Sequence, residues 1–408
     1  MTLGFLIQRN TYYKFLGSLI DEALKRGHKV FCFHDYSQPQ KGKKGYQFPH
    51  LRQSPRFKNG AVSAVSFQTE EELIKMATYD KVDVFVSLHF IEQYSNLRKL
   101  SQKEGIKWVA LQHGLDSLVS VDKLSSPDLY LFYSQEWLKF AFEFLEKTNK
   151  PFDKRLIESK VKFIGFSELD QAKLVNPYEI KEKWGIPENQ KVLLFLPFPF
   201  GATSDRFWSQ FIFGNDLFFL KPLLALFSFK KEFLKQVLKR ETDLRFCLAL
   251  KEFCSKNDLF LLVKSRKKDQ VKPYLAKIAD KVLYDEQEYP STIIECFSIA
   301  DLCLNFVSTA VTESVALGCS NISVLPSKDY KDIKNPLWEL LLEKYQDIFN
   351  FKGVSELVSI TEAFKLLKEK TLNDFTLDIK AQEEYVKKYI GSGSPSKKGI
   401  DEIERLVR

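Results

Sequence analysis

The stretch that decides the fold spans residues 300–324 and reads ADLCLNFVSTAVTESVALGCSNISV. Residues 302–307 form an apolar run of strand length, and helical spacing follows until Gly318. A second apolar run, 322–325, has strand character again. The spacing therefore predicts a strand, a tight turn, a helix and a second strand, which is a building unit of doubly wound α/β sheets.

The turn of this unit carries two hydroxyl residues, Ser308 and Thr309, where the helix is predicted to begin. Backbone N–H groups at a helix N-terminus lack helical partners and the helix dipole is positive there, so such a turn favours a phosphate group. Glu313 lies about one turn into the helix, placed to accept a hydrogen bond from a hydroxyl of the phosphate carrier, such as a ribose. Ser and Thr are also ordinary N-caps, and the motif alone leaves both interpretations open.

Strand-like and helical segments alternate along the first 170 residues, which predicts a parallel sheet covered by helices on both faces. The pattern pauses near residue 170 and restarts with an apolar run at 192–197. We therefore predict a first domain at 1–170, a second at 171–390, and a C-terminal elbow and helix at 391–408. Two facing domains of this kind bind ligands in the cleft outside the carboxyl ends of their strands.

Composition limits the classes of protein to which this chain can belong. With 408 residues, 44% of them hydrophobic, it has material for two cores, and it lacks the uninterrupted apolar stretch of about 18 residues that predicts a spanning helix. A net charge of +8 suits an anionic partner, but the charge is spread out and no nucleic-acid-binding motif occurs, so nucleic acid is not expected. The six cysteines are scattered and show no metal-ligand spacing, which favours reduced thiols in a cytoplasmic protein.

Residues 207–240 differ in composition from the rest of the chain, because aromatic residues crowd the first half and Lys and Arg the second. Such a segment can lie in a membrane interface, with basic residues near anionic headgroups. The other interpretation is a helical insertion packed on the second domain. Under the membrane-interface interpretation, the protein binds the inner face of the membrane.

Basic residues end one predicted strand of the second domain. Lys264 closes the apolar run 259–264, and Arg266 follows it. Cations at this position would neutralise a diphosphate leaving group as charge builds on it. A solvated basic turn is the alternative, since Lys267 and Lys268 continue the run.

In the first domain, the segment LQHGLDS places His113 and Asp116 just after a buried strand. A histidine there can act as general base or hold a phosphate. Asp116 can act as a base, or as the nucleophile of a retaining mechanism. Three further residues at strand ends are weaker candidates for the acceptor side of the cleft: Arg9, His34 and Asp35.

Four segments carry a resemblance to the GT-B glycosyltransferases of bacterial surface-polysaccharide synthesis: LIDEALKRGHKVFCF, LQHG, FIGFSELD and SIADLCLNFVSTAVTESVALG. The last of them is similar to the donor-binding strand–turn–helix of UDP-N-acetylglucosamine 2-epimerases, CDP-glycerol glycerophosphotransferases and capsule or lipopolysaccharide sugar transferases, including Kdo transferases. The resemblance implies two facing Rossmann-like domains with the active site in the cleft between them.

The same resemblance implies roles for individual residues. Ser308 and Thr309 would hold the donor phosphates, and Glu313 the hydroxyls of ribose or sugar. Lys264 would match the basic residue of the donor side, and His113 the cleft-facing histidine. The turn PFPFGATSD departs from the family pattern, because it has only one glycine with which to cradle a phosphate.

These observations predict a glycosyltransferase that moves a sugar from a nucleotide-activated donor to a surface glycan or lipid-linked glycan acceptor. No metal and no cofactor besides the nucleotide-sugar substrate is expected, since a helix N-terminus and basic side chains can neutralise the leaving diphosphate. Two alternatives stay open. One is a sugar-nucleotide 2-epimerase of the same fold, and the other is a non-catalytic nucleotide- or glycan-binding partner in a synthesis complex.

Overall fold

The computed structural model describes residues 1–9, 11–36, 54–88, 95–115, 118–198, 200–203, 231–266, 269–284, 287–325 and 335–408. Asp116 and residues 207–230 of the aromatic and basic segment lie outside the described residues. Two parallel sheets, each with its own set of helices, account for the fold of the described part of the chain.

The first sheet is built from the N-terminal part of the chain. Its strands are β1 (Thr2–Ile7), β2 (Lys29–Asp35), β3 (Ser63–Phe67), β4 (Val84–Ser87), β5 (Lys107–Leu111), β6 (Leu129–Phe132) and β7 (Val161–Phe163). The accompanying helices are α1 (Tyr12–Lys25), α2 (Glu70–Tyr79), α3 (Ser95–Lys103), α4 (Val121–Ser125), α5 (Gln135–Lys147) and α6 (Lys154–Lys160). Within the described residues all seven strands are parallel, in the order β3-β2-β1-β4-β5-β6-β7. This is the doubly wound order, in which the chain leaves a central β1 toward both edges.

The second sheet follows it in the chain. Its region contains β8 (Lys191–Phe195), β9 (Ala202–Thr203), β10 (Leu259–Lys264), β11 (Gln270–Val271), β12 (Lys281–Leu283), β13 (Leu302–Asn305), β14 (Ser320–Leu325) and β15 (Ser355–Ser359). The helices are α7 (Pro177–Trp184), α8 (Lys231–Lys256), α9 (Pro273–Ile278), α10 (Thr292–Ile299), α11 (Ala310–Ala316), α12 (Pro336–Lys344), α13 (Ile360–Glu369), α14 (Ile379–Tyr385) and α15 (Pro395–Val407). In the described part of the chain, six strands form a parallel sheet in the order β12-β10-β8-β13-β14-β15, and β9 pairs with β11 in a separate antiparallel ribbon.

Both faces of the first sheet are buried, which explains its near-continuous apolar runs. In β1, Phe5 packs with α1 on one face, while Leu6 packs with Phe33 and α2 on the other. Both side chains are almost fully buried. The fold class predicted from the sequence, two facing Rossmann-like domains, is confirmed.

A 3₁₀ helix, Ser167–Leu174, joins the two sheets, and we call it the junction helix. Its Gln171 side chain donates a hydrogen bond to the Lys14 carbonyl and accepts one from the Ser291 backbone N–H at 2.8 Å, so it contacts both domains. The last helix, α15, returns to the first domain, where Ile400 is fully buried against α1. The predicted domain limits at 170 and 390 themselves remain predictions.

The C-terminal region contains one strand among its helices, and its last helix begins earlier than predicted. Beyond residue 336, Ser355–Ser359 adds the parallel edge strand β15 to the second sheet. The segment GSGSPSKKG predicts an elbow over residues 391–399, but in the structure the helix begins within it, at Pro395. Pro395 begins α15, since its fixed φ suits the first turn of a helix, and Ser396 is anchored to Asp170 of the junction helix through its backbone N–H at 2.9 Å.

Candidate active site

The strand–turn–helix predicted from residues 300–324 is present, with β13 ending at Asn305 and α11 beginning at Ala310. The turn between them is strained, because Val307 has a φ of 44°, in the left-handed region that a β-branched residue rarely adopts. Backbone strain of this kind persists only where the surrounding structure imposes it, and it clusters at functional turns. The geometry of this turn is therefore fixed by its surroundings.

Asn305 provides much of that constraint. Its fully buried side chain accepts a hydrogen bond from the Ser308 backbone N–H at 2.9 Å and donates one to Asn321 of β14 at 3.0 Å. Asn321 in turn donates to the Ser314 hydroxyl of α11 at 2.9 Å. This buried network ties the turn to the next strand and to its own helix. Asn305 was not predicted as a site residue, because it lies inside the apolar run that indicates the strand.

Ser308 and Thr309 lie half-exposed at the start of α11. The Ser308 hydroxyl accepts a hydrogen bond from the Ala310 N–H at 3.3 Å, as an ordinary turn residue does. Thr309 is the N-cap residue, and its side chain makes no capping hydrogen bond. The structure thus places both hydroxyls at the carboxyl end of β13, while their role in phosphate binding remains a prediction.

Glu313 and Lys14 bring the two domains together at this turn. Glu313 projects from α11 of the second domain and is buried, with 6% of its surface exposed. Its Oε1 lies 2.6 Å from the Nζ of Lys14, which comes from the first turn of α1 in the first domain. The N-terminus of α1 follows β1, so this ion pair marks the point where the carboxyl ends of the two sheets meet.

His113 lies beside α1. Its ring contacts Phe15 edge-on, with 4.6 Å between ring centroids, and the Nζ of Lys14 lies 5.0 Å from the centroid of the Phe15 ring. Gly114 has a φ of 55°, the left-handed conformation that lets the chain turn sharply after β5. His113, Lys14 and Glu313 therefore belong to one region of the interdomain cleft.

Lys264 and Arg266 lie at the carboxyl end of β10, which is separated from β13 by one strand, β8. Neighbouring strands are about 4.8 Å apart, so Lys264 is about 10 Å from the β13 turn along the sheet. The Lys264 side chain is buried and donates to the Ser265 carbonyl at 3.2 Å. Arg266 forms an ion pair with the buried Asp269 and lies over the Phe198 ring at 4.8 Å. These contacts hold Arg266 beside its own loop.

The three acceptor-side candidates fall in different surroundings. His34 is buried at the end of β2, where its Nε2 and the hydroxyl of Tyr13 form a hydrogen bond of 2.7 Å. Arg9 is exposed just after β1, and Asp35 is half-buried at the last position of β2. Of the three, His34 is held within the domain by Tyr13 of α1, as a structural residue would be.

A carboxyl group that was not predicted as a site residue, that of Glu168, lies at the domain junction. Glu168, in the junction helix, is 1% exposed, and its Oε1 accepts a hydrogen bond from the Tyr133 hydroxyl at 2.8 Å. Burial, and next the negative charge of Glu313, raise the pKa of Glu168 to about 8, while Lys14 acts in the opposite direction. Burial and the charge of Glu168 also raise the pKa of Tyr133. The available signal was the quoted segment FIGFSELD, which places a single Glu among apolar residues at the junction.

The turn that carries His113 is fixed to this junction. Gln112, the residue before it, is buried, and its side-chain oxygen accepts a hydrogen bond from the Tyr133 backbone N–H at 3.0 Å. Tyr133 stacks on Phe166, with ring centroids 3.5 Å apart. The ends of β5 and β6 and the start of the junction helix are thus held together beside Glu168.

The structure therefore assembles a general-base candidate, two carboxyl groups and a lysine from both domains at one cleft. Histidine can accept a proton from an attacking hydroxyl, and a buried carboxylate can hold ligand hydroxyls. A lysine can stabilise phosphate charge. Within the described residues no group of three or more His, Cys, Asp and Glu side chains is arranged to hold a metal ion, and no helix is long and apolar enough to cross a membrane.

Comparisons with known proteins bear on the fold. No protein-family model matches the chain, and a search of curated proteins finds no match. Among solved structures, the wall teichoic acid polymerase TagF is similar, with a TM-score of 0.56 and 13% identity over 100% of this chain and 88% of that one. The UDP-GlcNAc 2-epimerase of Methanocaldococcus jannaschii has a TM-score of 0.56 and 13% identity, over 99% and 100% of the two chains. The epimerase of Neisseria meningitidis, bound to UDP-GlcNAc, has a TM-score of 0.54 and 12% identity over the same shares.

These similarities extend over nearly the whole chain and confirm, at the level of fold, the resemblance to the GT-B group drawn from the sequence. At 12–13% identity they show the fold alone.

Proposed function

We propose that the protein is a nucleotide-sugar-dependent glycosyltransferase that transfers a sugar to a surface-glycan acceptor without a metal ion. The observation that carries the proposal is the 2.6 Å ion pair between Glu313 and Lys14. It sets the predicted donor turn of the second domain against α1 and His113 of the first, and so gives one cleft with residues from both domains. A transferase that must hold a donor and an acceptor needs such a two-sided site.

In this proposal the donor lies on the second domain. Ser308 and Thr309 bind the diphosphate at the start of α11, and Lys264 adds positive charge from the end of β10. Glu313 accepts hydrogen bonds from hydroxyls of the ribose or the sugar. The solved structure of the meningococcal epimerase with UDP-GlcNAc supports this assignment to the extent that a protein of this fold binds a nucleotide sugar.

The acceptor lies on the first domain, where His113 removes a proton from the attacking hydroxyl as the bond to the nucleotide diphosphate breaks. Asp116, which lies outside the described residues, remains a candidate base or nucleophile. The acceptor is a glycan or lipid-linked glycan, and the protein acts in the cytoplasm, with residues 207–240 as the candidate membrane contact. The similarity in fold to TagF, a wall teichoic acid polymerase, is consistent with an acceptor of the cell surface.

A second candidate function is a sugar-nucleotide 2-epimerase. The observation that favours it is the presence of two buried carboxyl groups, Glu168 and Glu313, at one junction, since an epimerase needs acid and base groups around a single sugar. Incubation with UDP-N-acetylglucosamine alone separates the two functions, because an epimerase needs no acceptor. Formation of the 2-epimer without acceptor would favour the epimerase.

A thermal-shift screen with UDP, CDP, GDP, CMP and dTDP is the first test, because a ligand that binds the native state raises the melting temperature by mass action. The stabilising nucleotide then identifies the donor sugars to use in turnover assays with glycan acceptors. We expect His113→Ala to lower turnover by about 100-fold or more, the contribution typical of a general base. His28→Ala is the matched control, since His28 contacts Glu404 at the opposite end of α1.

If no nucleotide raises the melting temperature, the proposed donor site is contradicted. Nucleotide binding without turnover of any donor, unchanged by His113→Ala, would favour the non-catalytic binding partner instead.

A further inference from the structure

Glu168 is a buried carboxyl group that the proposed reaction does not use. It lies in the junction helix with 1% of its surface exposed. Its Oε1 accepts the hydrogen bond from Tyr133, whereas its buried Oε2 has no hydrogen-bond partner among the described residues. A buried carboxylate oxygen that accepts no hydrogen bond costs folding free energy, so the protonation state of Glu168 must be explained by its surroundings.

The charged groups around Glu168 determine which of its protonation states is favoured. Lys14 from α1 and Glu313 from α11 form one ion pair, and Glu168 is a second carboxyl that forms no ion pair with any described residue. The hydroxyl of Tyr133, at the end of β6, satisfies one oxygen but brings no charge. Two carboxylates and one ammonium would leave a net negative charge buried at the junction, and a proton on one carboxyl removes it.

In the described part of the chain, the other elements packed against the junction helix bring no cation into an ion pair with Glu168. From α10, the carboxylate of Glu295 is paired with Lys183 at 3.1 Å. From α15, Ser396 donates to Asp170. Asp170 itself is paired with Lys173 of the same junction helix. Glu313 is the carboxyl in direct contact with Lys14, so among the described residues Glu168 is the one without an adjacent cation.

We propose that Glu168 is a neutral carboxylic acid at neutral pH and a positioning residue of the donor site, leaving Glu313 as the charged carboxylate that meets the donor. This inference rests on the proposed function for the donor and on the geometry above for the proton. Tyr133 donates to Oε1, so the proton lies on Oε2. A neutral Glu168 keeps a second negative charge away from a cleft that must accept a diphosphate.

A proton on Glu168 makes the stability of the folded protein depend on pH. Burial and the charge of Glu313 raise the pKa of Glu168 to about 8, above the ordinary value of about 4.3 that it has in the unfolded chain. Between these two values the folded protein binds the proton and the unfolded chain does not. The folded state therefore loses stability as pH rises from about 4.3 to about 8, and Glu168→Gln, which carries an uncharged amide, escapes this loss.

The first measurement is the melting temperature of wild type and Glu168→Gln between pH 5.5 and 8.5. We expect the difference, variant minus wild type, to grow with pH by about 2–4 °C. Glu295→Gln is the matched control: it removes a buried carboxylate that is paired with Lys183, and its difference from wild type should not grow with pH. A constant difference for Glu168→Gln over this range would overturn the neutral acid, whatever the ligand of the cleft is.

The second measurement is calorimetric titration with the nucleoside diphosphate that most stabilises the wild type. At pH 7 we expect Glu168→Gln to bind within about threefold of wild type, because the amide replaces the neutral acid, and Glu168→Ala to bind about tenfold more weakly. Wild-type affinity should fall between pH 7 and 8.5, and that of Glu168→Gln should not. Equal losses in the Gln and Ala variants would overturn the positioning role.

Tyr133→Phe gives an independent check that leaves Glu168 in place. The hydrogen bond from Tyr133 favours the ionised form of Glu168, so its removal should move the fall in affinity to higher pH. A shift to lower pH would contradict the proposal. Absence of nucleotide binding by the wild type would overturn the proposed function and with it the positioning role, whereas the melting measurement decides the protonation of Glu168 without any ligand.

Discussion

Glu313 of the second domain and Lys14 of the first form an ion pair of 2.6 Å across the domain junction. The pair is largely buried, with 19% of the Lys14 side chain and 8% of the Glu313 side chain exposed. Under the proposed function, a diphosphate or a ribose that entered the cleft would meet both groups of this pair. The proposed function rests on this contact between Glu313 and Lys14.

The first prediction concerns Lys14. Lys14→Met should weaken nucleotide binding by about tenfold or more, the effect of losing one charge-assisted hydrogen bond. Lys25→Met is the control, since Lys25 lies on the same helix with a side chain that is 62% exposed. Calorimetric titration of both variants checks the prediction, and equal affinities in the two would place Lys14 outside the donor site.

The second prediction concerns the contact between Gly17 of α1 and Tyr289 of the second domain. A Cβ at Gly17 would lie 2.3 Å from the Tyr289 ring, so Gly17→Ala forces the ring or the packing of the two domains around it to move. We expect it to destabilise the protein by about 1–3 kcal/mol and to weaken nucleotide binding. Denaturant unfolding measures the first effect.

A double-mutant cycle with Tyr289→Ala separates this contact from a general effect of the helix. In the Tyr289→Ala background, Gly17→Ala should cost little, because the ring that it strikes is gone. Additive losses in the double variant would show that the cost of Gly17→Ala does not come from the Tyr289 ring and that this contact does not set the domain arrangement.

The third prediction concerns Asn305, which holds the strained turn before α11. Asn305→Ala leaves the buried partners of the network unsatisfied and should cost about 1–3 kcal/mol of stability. Because Ser308 loses the acceptor of its backbone N–H, nucleotide affinity should fall as well. Asn373→Ala, at an exposed position, is the control for unfolding and for titration. Retained affinity in Asn305→Ala would mean that the turn keeps its shape without the network.

The fourth prediction concerns an ion pair between Asp243 of α8 and Lys272, next to α9, which is almost completely buried. Lys272→Met alone leaves a buried carboxylate without its cation and should destabilise the protein by about 3–5 kcal/mol. The double variant Asp243→Leu/Lys272→Met should recover most of that loss, because no charge is left buried. Urea unfolding measures the stability of the single and the double variant. The same substitutions in the more exposed pair Lys251–Asp280 are the control, because an exposed ion pair contributes little to stability. A double variant as unstable as the single one would contradict this explanation.

The sequence was sufficient to predict the local units of the fold. The strand–turn–helix at Asn305–Ala310 was found because apolar spacing changes there from strand length to helical period. The edge strand Ser355–Ser359 was missed, since its sequence SELVS is half polar and lies between helical segments. An edge strand is stabilised by its neighbour, here β14, which a local pattern does not reveal.

The candidate site could be predicted only in part, because its contacts join distant parts of the chain. His113 and Glu313 were found from their positions after strands. Lys14 and Glu168 were not, since a lysine in a helix and a glutamate in a junction segment are unremarkable until folding places them beside Glu313. Tertiary contacts of this kind decide the charge of each group, and spacing along the sequence carries no information about them.

The central claim is that the β13–α11 turn binds the nucleotide part of the donor with Glu313. The most direct test is calorimetric titration of the stabilising nucleoside diphosphate into wild type, Glu313→Gln and the control Glu356→Gln, whose residue is exposed on β15. The account predicts binding by wild type, about tenfold weaker binding by Glu313→Gln and no change in the control. Equal affinity in wild type and Glu313→Gln, or no binding of any nucleotide, would contradict it.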